Sequence, residues 1–197
     1  MAIEYGDGSD SNAGRIIQVV RNNFNTRSST SCSQHAFVTI TAFNTSITPK
    51  STNSRIIISV GCMGEPTDQD HHMSWSVFRT FSNGSSGYIN IHGDASGTSH
   101  TDCISAIQAG FYNNNSNSTP TYIALPPVVD HPSYSGGITY TLRIQTLSGS
   151  ATWYTNRCVD DNSNSDNERG GSHMTLMEVA SWALIMKLYT QLIQMNF

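Results

Sequence analysis

The chain has 197 residues, of which 37% are hydrophobic and only 12% charged, with a net charge of -4. That length suits one domain with a sizeable core, and the ten scattered Lys and Arg residues exclude the clustered positive footprint of a nucleic-acid binder. Ser, Thr, Asn and Gly take the place of charge, as they do on the exposed strand positions and loops of sandwiches and barrels.

Residues 1–14 are polar and rich in Gly, Asp and Ser, which predicts a short N-terminal arm. Its opening, Met1-Ala2-Ile3-Glu4-Tyr5-Gly6-Asp7, lacks the basic start and apolar run of a secretory leader, so folding in a cytoplasm is expected. Strands are predicted at 15–20 and 35–43. After a loop at 47–54 comes Arg55 to Met63, whose continuously apolar start suits a central strand. Further strands are predicted at 73–81, 87–91, 102–112 and 121–130, the last bent by Pro126-Pro127. The clearest signal is Ile138 to Ile144, where even positions are apolar and odd ones are Thr, Thr and Arg. That period of two marks a strand with one buried face. Strands at 151–158 and 172–179 complete the set, separated by an acidic loop at 160–167. About ten short, turn-punctuated strands without βαβ alternation predict an all-β antiparallel jelly-roll sandwich over 15–179.

Residues 180–197 differ. Trp182, Ile185, Tyr189 and Leu192 follow a 3-4-3 spacing that places them on one helical face, which Leu184 and Leu188 widen. The prediction is an apolar C-terminal helix used for docking or oligomerisation, with those four residues as its interface. It is short for a membrane span and carries Lys187, Thr190, Gln191 and Gln194, so a membrane role is not expected.

No catalytic motif accompanies the strands. There is no Gly-x-Ser-x-Gly elbow to expose a nucleophile. Glu65, Asp68 and Glu178 offer carboxylates, but nothing in their spacing fixes a pair across a cleft. His71-His72 with Asp68 and Asp70 reads as a solvated loop, since adjacent strand residues point to opposite faces; a divalent ion on a threefold axis is the exception. The run Asp160 to Asp166 lacks the Gly and the closing Glu of a calcium loop. Neither metal nor cofactor is expected. Cys62 and Cys103 read as reduced packing residues, and Cys32, Cys62, Cys103 and Cys158 contain no CxxC pair, although one or two disulfides stay open in an oxidised particle. Trp75, Trp153 and Tyr154 read as packing residues rather than sugar-stacking platforms. The Asn-x-Ser/Thr sites beginning at Asn44, Asn83, Asn114 and Asn117 read as loop chemistry.

Several segments resemble a recurring bacteriophage virion domain found in phages of aquatic bacteria, including cyanophages. They are Arg15 to Val20, Ile47 to Val60, Leu125 to Pro132, Ile138 to Leu142, Trp153 to Arg157 and Gly170 to Val179. The resemblance covers roughly Arg15 to Val179 and implies a structural or tail-fibre-like protein, with no catalytic residues to carry over. The layout also resembles the jelly roll of C1q and tumour necrosis factor, which implies a homotrimer. The expectation is therefore a non-enzymatic virion surface protein assembled in a bacterial host cytoplasm: a trimeric capsid decoration or cement protein. Its partners would be itself and other virion proteins such as the major capsid protein or tail proteins. The alternative is a tail-fibre or tail-spike protein that binds host surface glycans.

Overall fold

A computed structural model describes residues 14–67, 72–89, 105–108, 119–146, 149–161 and 167–180. Twelve strands lie among them: β1 (Ile16–Phe24), β2 (Ser28–Ser33), β3 (Val38–Ile47), β4 (Arg55–Pro66), β5 (His72–Phe81), β6 (Ser86–Tyr88), β7 (Ser105–Gln108), β8 (Thr121–Ala124), β9 (Val128–Asp130), β10 (Ile138–Thr146), β11 (Ser150–Thr155) and β12 (Ser172–Val179). No helix occurs among the described residues. The predicted arm and C-terminal helix, with Trp182, Ile185, Tyr189 and Leu192, lie outside them.

The strands form two antiparallel sheets. The larger has seven strands in the order β1-β12-β4-β11-β2, with β8 and β9 also pairing β4. The smaller has five, in the order β3-β10-β5-β6, with β7 also pairing β5. From β3 to β12 the chain crosses repeatedly between the two sheets, the wrapping pattern of a jelly roll. β4 is central, as its apolar start predicts: β12 and β11 pair one edge, β9 and β8 the other.

The strand count exceeds the expected ten for two physical reasons. Pro126 and Pro127 break the 121–130 run into β8 and β9, because proline cannot donate to a ladder. β2 carries no large apolar residue to announce it; its pairing with β11 holds it in place. Two boundaries also move. β3 continues through Ile47, so Asn44-Thr45-Ser46 lies in a strand and not in a loop. β11 stops at Thr155 and not at Cys158, because Asn156 adopts a left-handed backbone (φ 61°) that turns the chain. Its buried side chain locks this corner, donating to Phe24 O (3.2 Å) and Thr26 O (3.0 Å) and accepting from Ser172 Oγ (2.6 Å).

The core lies between the sheets. Trp75 from β5 meets Trp153 from β11 edge-on, with centroids 5.0 Å apart, and Phe24 meets Phe43 the same way at 4.8 Å. Both tryptophans are buried, as the packing assignment expects. One polar tie crosses the core: Asp130 of β9 accepts from Tyr140 Oη (2.8 Å) and pairs with Arg79 of β5. Cys32, Cys62 and Cys158 are free and buried. Burial pushes the Cys32 thiol up to about 11 and raises Cys62 and Cys158 as well, so none is poised as a nucleophile. Cys103 lies outside the described residues.

Candidate interaction surface

Carboxylates were the first candidates for chemistry. Glu65 accepts from Val159 N (2.7 Å), and Glu178 is buried, accepting from Lys50 N (2.7 Å). With its amide oriented to donate, Gln18 also reaches Glu178 Oε2 at 3.0 Å. Glu178 pairs with Ile56 at one end of β4, and Glu65 sits at the other end. Nine strand residues separate those positions by roughly 30 Å, so the two carboxylates do not act on one substrate. Asp68 lies outside the described residues, as do Asp70 and His71; of His72 only the backbone is described.

Asp161, the described end of the acidic run, serves arginines instead of a cation. Arg169 Nε donates to Oδ1 (2.7 Å), Arg27 pairs with Oδ2, and the Arg157 guanidinium lies 3.6 Å from Oδ2. This clasp joins the β1–β2 connection to the two chain segments between β11 and β12. Desolvation raises the Asp161 carboxyl, but hydrogen bonds from Arg169 and Arg27 outweigh it and hold the group below its ordinary value. A lowered native value means that the stabilisation is present above the unfolded value of 3.8 and is lost as pH falls through the native one. Asp161→Asn is therefore expected to lose about 1 kcal/mol at pH 7. In urea titrations against pH, that gap should shrink as pH falls below 3.8. Among the described residues, no group of three or more His, Cys, Asp or Glu could hold a metal.

The surface itself is more informative. Along β12 every second residue is buried, so Val179, Met177, Thr175 and His173 face outward. Strand register then carries each outward position across the larger sheet. Val19 pairs with Met177, Met177 with Ile57, and Ile57 with Val129. Four strands thus contribute one transverse row of apolar side chains on the outer face. Its ends are open: Val19 is 58% and Val129 54% exposed. A register shift between Ile16 and Gln18 leaves Ile16 (53%) and Ile17 (42%) exposed beside it.

The next rows are polar. Arg21, Thr175 and Ser59 form one, and Asn23, His173, Gly61 and Ala124 another. The Tyr122 hydroxyl extends over Gly61, which has no side chain to obstruct it, and lies 3.4 Å from His173 Nδ1. Desolvation, then the Arg21 charge, hold His173 below its ordinary value. Arg21, Asn23, Asn25 and His173 line an open hollow at this end of the face.

The outer face of the smaller sheet is finished differently. Arg143 stacks on Phe78 at 3.5 Å and donates to Tyr88 Oη (2.9 Å), covering aromatic surface with a cation. Tyr154, on the larger sheet, is capped in the same way by Arg157 at 4.0 Å. The Val19–Val129 row, by contrast, has no aromatic member.

No family model matches the chain, and no curated protein matches its sequence. Among solved structures it is similar to infectious bursal disease virus, Gt strain, at 9% identity and TM-score 0.41, over 86% of this chain and 39% of that one. The Gx strain of that virus gives 11% identity and TM-score 0.39, over 85% and 38%. A VP2 subviral particle of the same virus gives 12% identity and TM-score 0.37, over 86% and 39%. The chain spans less than two fifths of the length of these structures.

Sequence reasoning did not find the outer apolar row. Its residues sit in segments such as Arg15 to Val20 and Arg55 to Val60, which read as apolar on both faces. Only the register shows that four of their side chains, contributed by four strands, line up. The four predicted interface residues of the tail lie outside the described residues.

Proposed function

We propose that this chain is a non-enzymatic structural protein of a virion surface, and specifically a homotrimeric capsid decoration or cement protein. The observation that carries this reading is the exposed apolar row Val19–Met177–Ile57–Val129. Uncovered apolar surface on a well-packed sandwich marks a contact face. The segments that resemble phage virion domains support the reading, because most of them build this same sheet: Ile16 to Val20 in β1, Arg55 to Val60 in β4, Val128 to Asp130 as β9 and Ser172 to Val179 as β12. A partner that binds only the assembled lattice stabilises it by mass action. The row is the face through which copies associate, and a trimer so formed presents three lattice contacts at once, which raises avidity without strengthening any single one. The partners are further copies of the chain and the major capsid protein, met in the cytoplasm of a bacterial host.

The second reading, a tail-fibre or tail-spike adhesin, draws on the hollow lined by Arg21, Asn23, Asn25 and His173, whose hydrogen-bonding groups suit glycan hydroxyls. Counting and locating the protein on purified particles separates the two. Many copies spread over the head support decoration. A few copies confined to the tail, with binding of the isolated protein to host cells, transfer the assignment to the adhesin.

A further inference from the structure

Three features meet at one edge of the larger sheet: the apolar row, the last described residue of the chain, and the start of the apolar tail. Ala180 N donates to Arg15 O (3.0 Å), and Gly14 N donates to Ala180 O (2.9 Å), so antiparallel pairing continues past Val179. The chain is thereby held in the direction of β12 as it leaves the sheet, and its own row lies behind it. Residues 181–197 follow directly, lying outside the described residues. They hold Trp182, Ile185, Tyr189 and Leu192 at helical spacing, and Lys187 is their one charged side chain.

We infer that the row Val19–Met177–Ile57–Val129 of one copy is the seat for residues 181–197 of a second copy. This rests on the reading of the larger sheet as a self-association face and names what occupies it. The dimensions agree. The row crosses three strand spacings, roughly 14 Å, and the tail as a helix would run about 25 Å. The chemistry agrees too, since an aliphatic strip with open ends is what a broad apolar helical face needs in order to leave water. The exit direction at Ala180 selects a neighbour's row over the chain's own. A tail-to-face contact is heterologous, and such contacts close into a ring when the rotation permits. A three-membered ring gives the trimer.

The test is complementation between two full-length variants. Val129→Asp breaks the row and keeps the tail. Ile185→Asp with Leu192→Asp breaks the tail and keeps the row. By sedimentation velocity the unaltered chain should assemble, and each variant alone should associate about a hundredfold more weakly. An equimolar mixture should form a one-to-one complex, because one sound tail then meets one sound row. Val19→Asp repeats the row test at a second exposed position, and circular dichroism checks that every variant keeps the native sheet signal. A tail variant that still assembles alone overturns the inference in favour of face-to-face packing, and a mixture that stays monomeric overturns it outright. An unaltered chain that is monomeric in solution overturns it in favour of a tail seated on its own face. None of these results touches the virion reading, which particle copy number decides separately.

Discussion

Replacing Asp130 with alanine is expected to lower the free energy of unfolding by about 3 kcal/mol, because the buried Tyr140 hydroxyl loses its acceptor and the partly exposed Arg79 guanidinium its counter-charge. Asp130 is 4% exposed and joins three strands: β9, which carries it; β10, through Tyr140; and β5, through Arg79. The tie runs from the larger sheet to the smaller, so its loss loosens the sandwich and not merely one strand. Removing the carboxylate leaves the Arg79 guanidinium facing the core and the Tyr140 hydroxyl without an acceptor. In a chain of this size the melting temperature should fall by roughly 10 °C. Tyr140→Phe is the control. It deletes one hydrogen bond and keeps the ion pair, so about 1 kcal/mol is expected. Equal losses in urea unfolding for the two variants would show that the ion pair contributes nothing to the tie.

The second large effect is expected at Trp153. The side chain is 1% exposed and meets Trp75 across the two sheets with an interplanar angle of 87°. Gly64 on β4 packs so closely that a Cβ there would sit 2.6 Å from the Trp153 ring. The indole therefore fills space that no neighbour can reclaim cheaply. Trp153→Ala should cost about 3–5 kcal/mol through lost burial and a residual cavity. Trp153→Phe should recover part of this by keeping an edge-to-face contact. Denaturant midpoints read both variants. Gly64→Ala should destabilise as well, because its Cβ would sit 2.2 Å from Tyr154 O and 2.6 Å from the Trp153 ring, and adding Trp153→Phe should not restore stability, since the backbone contact remains.

Much of the sandwich was legible in the sequence because period-two patterning is a local property. β10 alternates in sequence from Ile138 to Ile144, so its faces could be assigned without knowledge of any neighbour, whereas in β12 the buried Glu178 and the outward Met177 and Val179 invert the expected polarity. β4 announced its central place through an unbroken apolar start. β2 could not be found that way. Its inward residues are small, and its place depends on β11, far away in the chain. The boundary of β11 was hidden for another reason: the left-handed turn at Asn156 is stabilised by carbonyls of Phe24 and Thr26, distant in sequence.

The surface was harder to read than the core for a related reason. A residue such as Ile57 or Met177 looks like any other apolar strand residue. Its meaning comes from standing between Val19 and Val129 in a row that crosses three ladders. Likewise, Asp130 sits in a run that reads as a proline-bent edge, and nothing nearby announces Arg79 or Tyr140 as its partners. The acidic run read as a loop without the features of a calcium site, and nothing in it announced an arginine clasp. The arginines that claim Asp161 come from three separate places in the chain.

The backbone bonds between Gly14 and Ala180 have a wider consequence. They bring the two ends of the sandwich within reach of a single peptide linker, so the folded chain is almost a closed loop. The same architecture could be entered at another point, for instance by joining 14 to 180 and opening the turn at Ser82 to Gly84. Residues 14 and 180 thus leave the sandwich together at one pole, with the Asp161 clasp at the other. A protein built this way can gain cargo or anchors at one pole and leave the opposite one unaltered.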